Sequence, residues 1–200
     1  MKKGFTLIEL LVVIAILAIL AVAVVLVINP AQLLKESRDV TRISDLNTLN
    51  NAIALYLADN STTSWNGTYS GGSLTATTTC TSGTSYPTAT ASSTCTTVNI
   101  YTTSGTGWVL GVPLTSISLG SPVGALPKDP NNGSVCNSSD TVGTCFYVFK
   151  TGTTVGKYKL MTNMESTKYA DGGTADVEGN AEDGGMVESW FEVGTDLTLN

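Results

Sequence analysis

Residues 1–28 read MKKGFTLIELLVVIAILAILAVAVVLVI, and this stretch decides the fold. One carboxylate, Glu9, stands near the start of an otherwise apolar span. Lys2, Lys3 and Gly4 precede that span, and Asn29-Pro30 follow it. Uninterrupted apolar sequence runs from Leu10 to Ile28, 19 residues, and the segment is 24 residues long when counted from Phe5. At about 1.5 Å per helical residue it reaches roughly 36 Å, enough to cross a hydrocarbon core of roughly 30 Å. A charged side chain at that depth is costly, so it ordinarily has a partner or a job.

Outside this segment the composition excludes more than it assigns. The remainder suffices for one modest globular domain. Charged residues make up 13% of the 200, the formal net charge is −6, and the sequence pI is about 4.5. Lysine and arginine are few and scattered after Lys3, which leaves no basic patch for phosphates, so no nucleic-acid partner is expected. The chain has no histidine, and with it lacks the commonest general base and metal ligand. No G-x-S-x-G motif and no phosphate-cradling glycine loop is present, so the chain does not read as an enzyme.

Four cysteines, Cys80, Cys95, Cys136 and Cys145, follow the apolar segment, none in a C-x-x-C arrangement. That spacing argues against zinc and against a thioredoxin-like centre. An even number outside the cytoplasm reads as two disulfides. Three pairings exist; short loop closure favours Cys80–Cys95 with Cys136–Cys145.

A cleavable secretory signal has a shorter apolar stretch and a small-residue cut site after it. A plain amino-terminal anchor explains the lysines and the length. It accounts neither for Glu9 nor for Gly4 at the polar–apolar boundary. The run Lys2-Lys3-Gly4-Phe5-Thr6-Leu7-Ile8-Glu9-Leu10 closely resembles the class III signal of bacterial type IV pilins and type II secretion pseudopilins.

The resemblance implies a membrane peptidase and methyltransferase that cuts between Gly4 and Phe5 and N-methylates Phe5. Glu9 then pairs with the cut amino terminus of a neighbouring subunit. It further implies an inner-membrane assembly platform, membrane lipid as the surroundings before assembly, and a homopolymeric filament thereafter. The expected fold is α+β and type IV pilin-like, a long amino-terminal helix packed on a small antiparallel sheet. The expected localisation is the inner membrane as a single-pass precursor, then an extracellular surface filament. The expected function is a structural subunit of a type IV pilus. The competing readings are a major pseudopilin of a type II secretion system and a minor tip adhesin.

The expected divisions are a leader at 1–4, an assembly helix at 5–29, its amphipathic continuation at 30–59, a Thr/Ser-rich loop at 60–106, and a sheet domain at 107–200. Pro30 removes a helix hydrogen bond and predicts a kink or a locally opened stretch. Ile43, Leu46, Leu49, Ile53 and Leu57 recur at helical steps, with Lys35, Arg38, Asp39, Arg42 and Asp45 expected on a solvated face. Strands are expected at 98–102, 108–114, 146–150 and 157–161, the last two joined as a hairpin, with a further edge strand near Trp190–Val193. The run from Leu126 to Gly133 reads as a turn, and its Pro127-Lys128-Asp129-Pro130 also resembles a stretch of major pseudopilins. Asn60, Asn66, Asn132 and Asn137 open N-x-[ST] sequons, a pattern that arises by chance in a Thr-rich chain. Asp171, Asp176, Glu178 and Asp183 offer oxygen ligands of the kind calcium takes, in a spacing that matches no EF-hand; a solvated acidic loop is the alternative. Calcium binding in such a loop is implied by the pseudopilin resemblance. No other cofactor is expected.

Overall fold

The structure is a computed structural model that describes residues 4–60, 78–82, 85–87, 92–136, 144–179 and 181–199. It is α+β and pilin-like, with an apolar amino-terminal helix, a second helix and a five-stranded sheet. The chain divides into two compact units, residues 1–35 and 36–200.

In the first unit, helix α1 spans Leu7–Ile28. Its leucines, isoleucines, valines and alanines surround the axis on every side, which is the pattern of a lipid-facing helix rather than a surface helix of a globular domain. Leu7–Val25 is long and apolar enough to cross a membrane, and none of it is buried. The helix ends at Asn29, whose φ of 44° places it in the left-handed region that asparagine tolerates better than most residues. Pro30 follows as the first residue of helix α2, Pro30–Asp59, where its missing N–H costs nothing. Of the two expectations at Pro30, a kink or a locally opened stretch, the helix is opened here, and the single helix expected over 5–59 is two. The chain turns left-handed for a single residue and then begins a new helix.

The second unit is built on the face of α2 that carries Asp39, Arg42, Leu46, Leu49, Ala52, Ile53 and Tyr56, all buried. Steps of three and four residues keep these side chains on one stripe. The sheet opposite has the order β4-β1-β5-β6-β7, with β1 Thr78–Cys80, β4 Thr96–Thr97, β5 Val148–Thr151, β6 Tyr158–Thr162 and β7 Phe191–Gly194. Only the β1–β4 pairing is parallel. A separate hairpin pairs β2 Ser85–Pro87 with β3 Ser92–Thr94.

Apolar side chains cover both faces of the sheet, and the two-residue period of a strand explains the aromatic run before and within β5. Tyr147 and Phe149 join the α2 stripe, Trp108, Tyr158 and Leu160 in the main core. Phe146 and Val148 point the other way, to Met161, Trp190 and Cys80. Burying each such side chain contributes about 1.5–3 kcal/mol, so two-sided coverage is what makes five short strands stable. Gly156, at φ +80°, supplies the left-handed residue of the β5–β6 turn.

Two strand expectations and one loop expectation need correction. Residues 98–102 and 108–114 are not strands; the latter is turn and coil leading into a 3-10 turn at Leu114–Ser116. Gly111, at φ +78°, breaks that apolar run, and Trp108, Val109, Val112 and Leu114 are buried as coil. Conversely, part of the Thr-rich stretch expected as loop forms β1 to β4. Threonine's branched Cβ suits the pleat, and β1 lies inside the sheet beside β5.

Candidate assembly segment and buried ion cluster

Gly4, Phe5 and Thr6 precede α1 and are exposed and non-helical. Thr6 is the N-cap, in extended conformation at φ −84° and ψ 151°. Its hydroxyl accepts from the Glu9 backbone N–H at 3.3 Å and donates to Glu9 Oε2 at 2.6 Å. The Thr6 backbone N–H donates to the same oxygen at 2.8 Å. Together these contacts form a capping box, which satisfies two of the donors a helix start leaves unpaired. Within one chain the carboxylate of Glu9 is therefore held by Thr6. The sequence pattern Thr6-Leu7-Ile8-Glu9 is the T-x-x-E signature of such a box, and it was the overlooked signal for Thr6. Every described side chain of α1 is exposed, including Ile19 at 72% and Leu7 at 81%, although each is apolar apart from Glu9.

Residues 1–25 match the family model described as the prokaryotic N-terminal methylation motif. The chain opens with a prepilin-like signal. No curated protein and no solved structure matches the chain. This signal, with a helix long and apolar enough to cross a membrane, fits a membrane-anchored precursor, and the motif implies processing by prepilin peptidase.

Behind this signal, the globular unit places a cluster of charges where a solvated face was expected. Asp39 and Arg42 are fully buried. Arg42 donates Nε and Nη2 to the two carboxylate oxygens of Asp129 at 2.7 and 2.9 Å, a bidentate pair. Arg42 Nη1 reaches Asp39 at 2.7 Å, and Nη2 also reaches Glu165 at 2.5 Å. Arg38 grips Glu165 from the other side at 2.9 and 2.6 Å. Asp39 accepts the backbone N–H groups of Glu165 and Ser166 at 2.9 and 2.8 Å. Burial opposes charge on Arg42, but Asp129 and then Glu165 outweigh it and raise its pKa. Burial likewise disfavours charge on Glu165, and hydrogen bonds from Arg38 and Arg42 hold its pKa below the usual range. The cluster ties α2 to the coil around Asp129 and to the segment after β6. Asp39 and Arg42 at i,i+3 were a visible pair; nothing in the sequence joins Arg42 to Asp129, 87 residues away.

The structure joins Cys80 to Cys95 and Cys136 to Cys145. Among the described residues, the potential ligand atoms that converge within 4.8 Å belong to Cys136, Cys145 and Glu165. The two sulfurs are bonded to each other, so no thiolate is offered there. The acids Asp171, Asp176, Glu178 and Asp183 are not drawn into such a group. Glu178 is buried and accepts from the backbone N–H of Met164 and Asp171 at 2.5 and 2.9 Å. Asp176 accepts from Gly172, Glu178 and Gly179, and Asp183 from Gly185 and Glu192. Burial pushes Glu178 up to about 8 against the pull of its two backbone donors. Glu178 thus ties Asp171 to the segment after β6 and Asp183 ties Gly185 to β7, while Asp176 bonds only within 172–179. Asn132 lies part-buried against Thr81. The sequons at Asn66 and Asn137, the latter parts of that at Asn60, and Lys2-Lys3 lie outside the described residues.

Proposed function

We propose that this chain is the repeating subunit of a surface filament of the type IV pilus kind. After cleavage between Gly4 and Phe5 and N-methylation of Phe5, it polymerises through residues 5–29. The observation that carries the reading is α1 itself, a helix of 22 residues uncovered on every side, with Glu9 as its single charge. An uncovered apolar surface of that extent needs either lipid or other copies of itself. The subunit waits in the inner membrane and enters the filament when the helices of successive copies bundle. Glu9 then exchanges its local hold on Thr6 for the ammonium of a neighbour's Phe5, a pairing that low dielectric strengthens. The peptidase, the assembly platform and other copies of the chain are its partners.

A second reading, a major pseudopilin of type II secretion, draws on Pro127-Lys128-Asp129-Pro130, whose aspartate is the buried partner of Arg42. Abundance in sheared surface fractions separates the two, since a pilus subunit dominates such a preparation. The decisive test is mass spectrometry of the mature chain together with Glu9→Ala. The expected results are a polypeptide that begins at methylated Phe5 and a variant without filaments. A mature chain that retains Met1–Gly4, or Glu9→Ala filaments of normal yield and length, overturns the assignment.

A further inference from the structure

A cleft of about 310 Å³ opens between α2 and β7. Ile43, Phe191 and Val193 supply apolar walls, and Asp176, Glu182 and Asp183 supply carboxylates. Glu192 also lines the cleft but is already paired with Lys159 at 2.5 Å. Glu182 is exposed and makes no side-chain hydrogen bond among the described residues. Burial, with Glu192 and Glu182 alongside, pushes Asp183 up to about 6 against the pull of its Gly185 and Glu192 backbone donors. Apolar walls with an acidic mouth suit a side chain that has a methylene stem and a cationic head.

The cations of the globular unit can be followed one by one. Arg38 and Arg42 are spent on Glu165, Asp39 and Asp129. Lys157 pairs with Asp196 at 3.8 Å and Lys168 with Glu36 at 3.3 Å. Lys150 and Lys159 are buried. Lys128 alone is exposed and has no partner among the described residues. It stands in coil just before the turn at 130–133, between Pro127 and Pro130, beside Asp129, which Arg42 clamps. The backbone that presents this cation is fixed by its prolines and by the Asp129 clamp, so docking orders little beyond the lysine side chain itself.

We propose that Lys128 of one copy enters the α2–β7 cleft of a second copy, its stem along Ile43, Phe191 and Val193 and its ammonium facing Glu182 and Asp183. Arg42 binds the coil that carries Lys128, whereas Ile43, one residue and about 100° further round the helix, lines the cleft. Donor and acceptor patches therefore lie on different sides of α2. Such a contact is heterologous and head-to-tail, the type that propagates into an open helical array rather than closing as a dimer. This contact rests on the filament reading and adds a second, globular bond to the one at Glu9.

The test begins with wild-type filaments assembled from isotopically light and heavy subunits and treated with a carbodiimide. Amides that join Lys128 of one isotope to Glu182, Asp183 or Asp176 of the other are expected; filaments without them overturn the proposal. Lys128→Glu is expected to lower filament yield at least about tenfold, because like charges then face each other. Adding Glu182→Lys to Lys128→Glu is expected to restore yield to within about twofold of wild type. Lys128→Glu filaments of normal yield, where Glu9→Ala makes none, overturn this contact and leave the subunit assignment standing. A wild-type chain that forms no filament overturns the subunit assignment and this contact with it.

Discussion

Replacing Arg42 by methionine removes the centre of the buried ion cluster while keeping much of the side chain's volume. In the folded protein Arg42 makes four hydrogen bonds, two to Asp129 and one each to Asp39 and Glu165. Without it, Asp129 and Asp39 keep only backbone donors among the described contacts, and Arg38 serves Glu165 alone. Stripping one partner from a buried ion pair costs about 3–5 kcal/mol, because the remaining charge stays desolvated. Against a total stability of about 5–15 kcal/mol that is a large fraction. With a urea slope of about 2 kcal/mol per molar, the midpoint should fall by about 2 M. The assay is urea unfolding of the whole chain in detergent, followed by the fluorescence of Trp108 and Trp190, both fully buried. Acid supplies a second reading. The wild type loses Glu165's contribution as pH falls through its lowered pKa, whereas protonation relieves the uncompensated carboxylates of Arg42→Met, so the two curves converge at low pH. A midpoint shift below about 0.5 M, or curves that stay parallel down to acid, refutes the account of the cluster.

Two further expectations concern the loop and the cross-links. Because Glu178 is raised to about 8 in the folded state from 4.5, the folded protein holds a proton there that the unfolded chain has lost. Its contribution is therefore greatest below about pH 4.5 and is lost as pH rises towards about 8, so the stability difference between wild type and Glu178→Gln should slope across that window. A difference independent of pH contradicts this. Serine replacement of Cys136 and Cys145, which close a loop of sequence separation 9, should cost about 3 kcal/mol by chain entropy; an unchanged urea midpoint refutes it.

The parts of the fold legible in the sequence are those written as long periodic signals. α1 is visible as an apolar run, α2 as a stripe of Leu46, Leu49 and Ile53, and β5 and β6 as aromatic alternation around a glycine turn. The strands built from Thr78–Cys80 and Thr96–Thr97 were hidden, because a Thr/Ser-rich stretch carries no hydrophobic contrast for alternation to show. Trp108–Leu114 misled for the opposite reason: coil that fills a core is as apolar as a strand. The candidate site divides similarly. Glu9 stood out as a lone charge in an apolar run, and Thr6 was readable from local spacing. The Arg42 cluster was not, since charges on an amphipathic helix look solvated until distant carboxylates are brought to them by the tertiary fold.

The capping box at Thr6 and Glu9 has one more effect, on the two peptide groups just upstream. By defining where helical winding begins, it leaves the Gly4–Phe5 bond in open backbone rather than in a coil whose carbonyls are already engaged. A protease that grips its substrate as a stretched strand would find this linkage laid out for it, two residues short of Leu7, where the helix begins. If the cut falls between Gly4 and Phe5 as proposed, the same three contacts that hold the Glu9 carboxylate also keep that bond accessible to the processing enzyme.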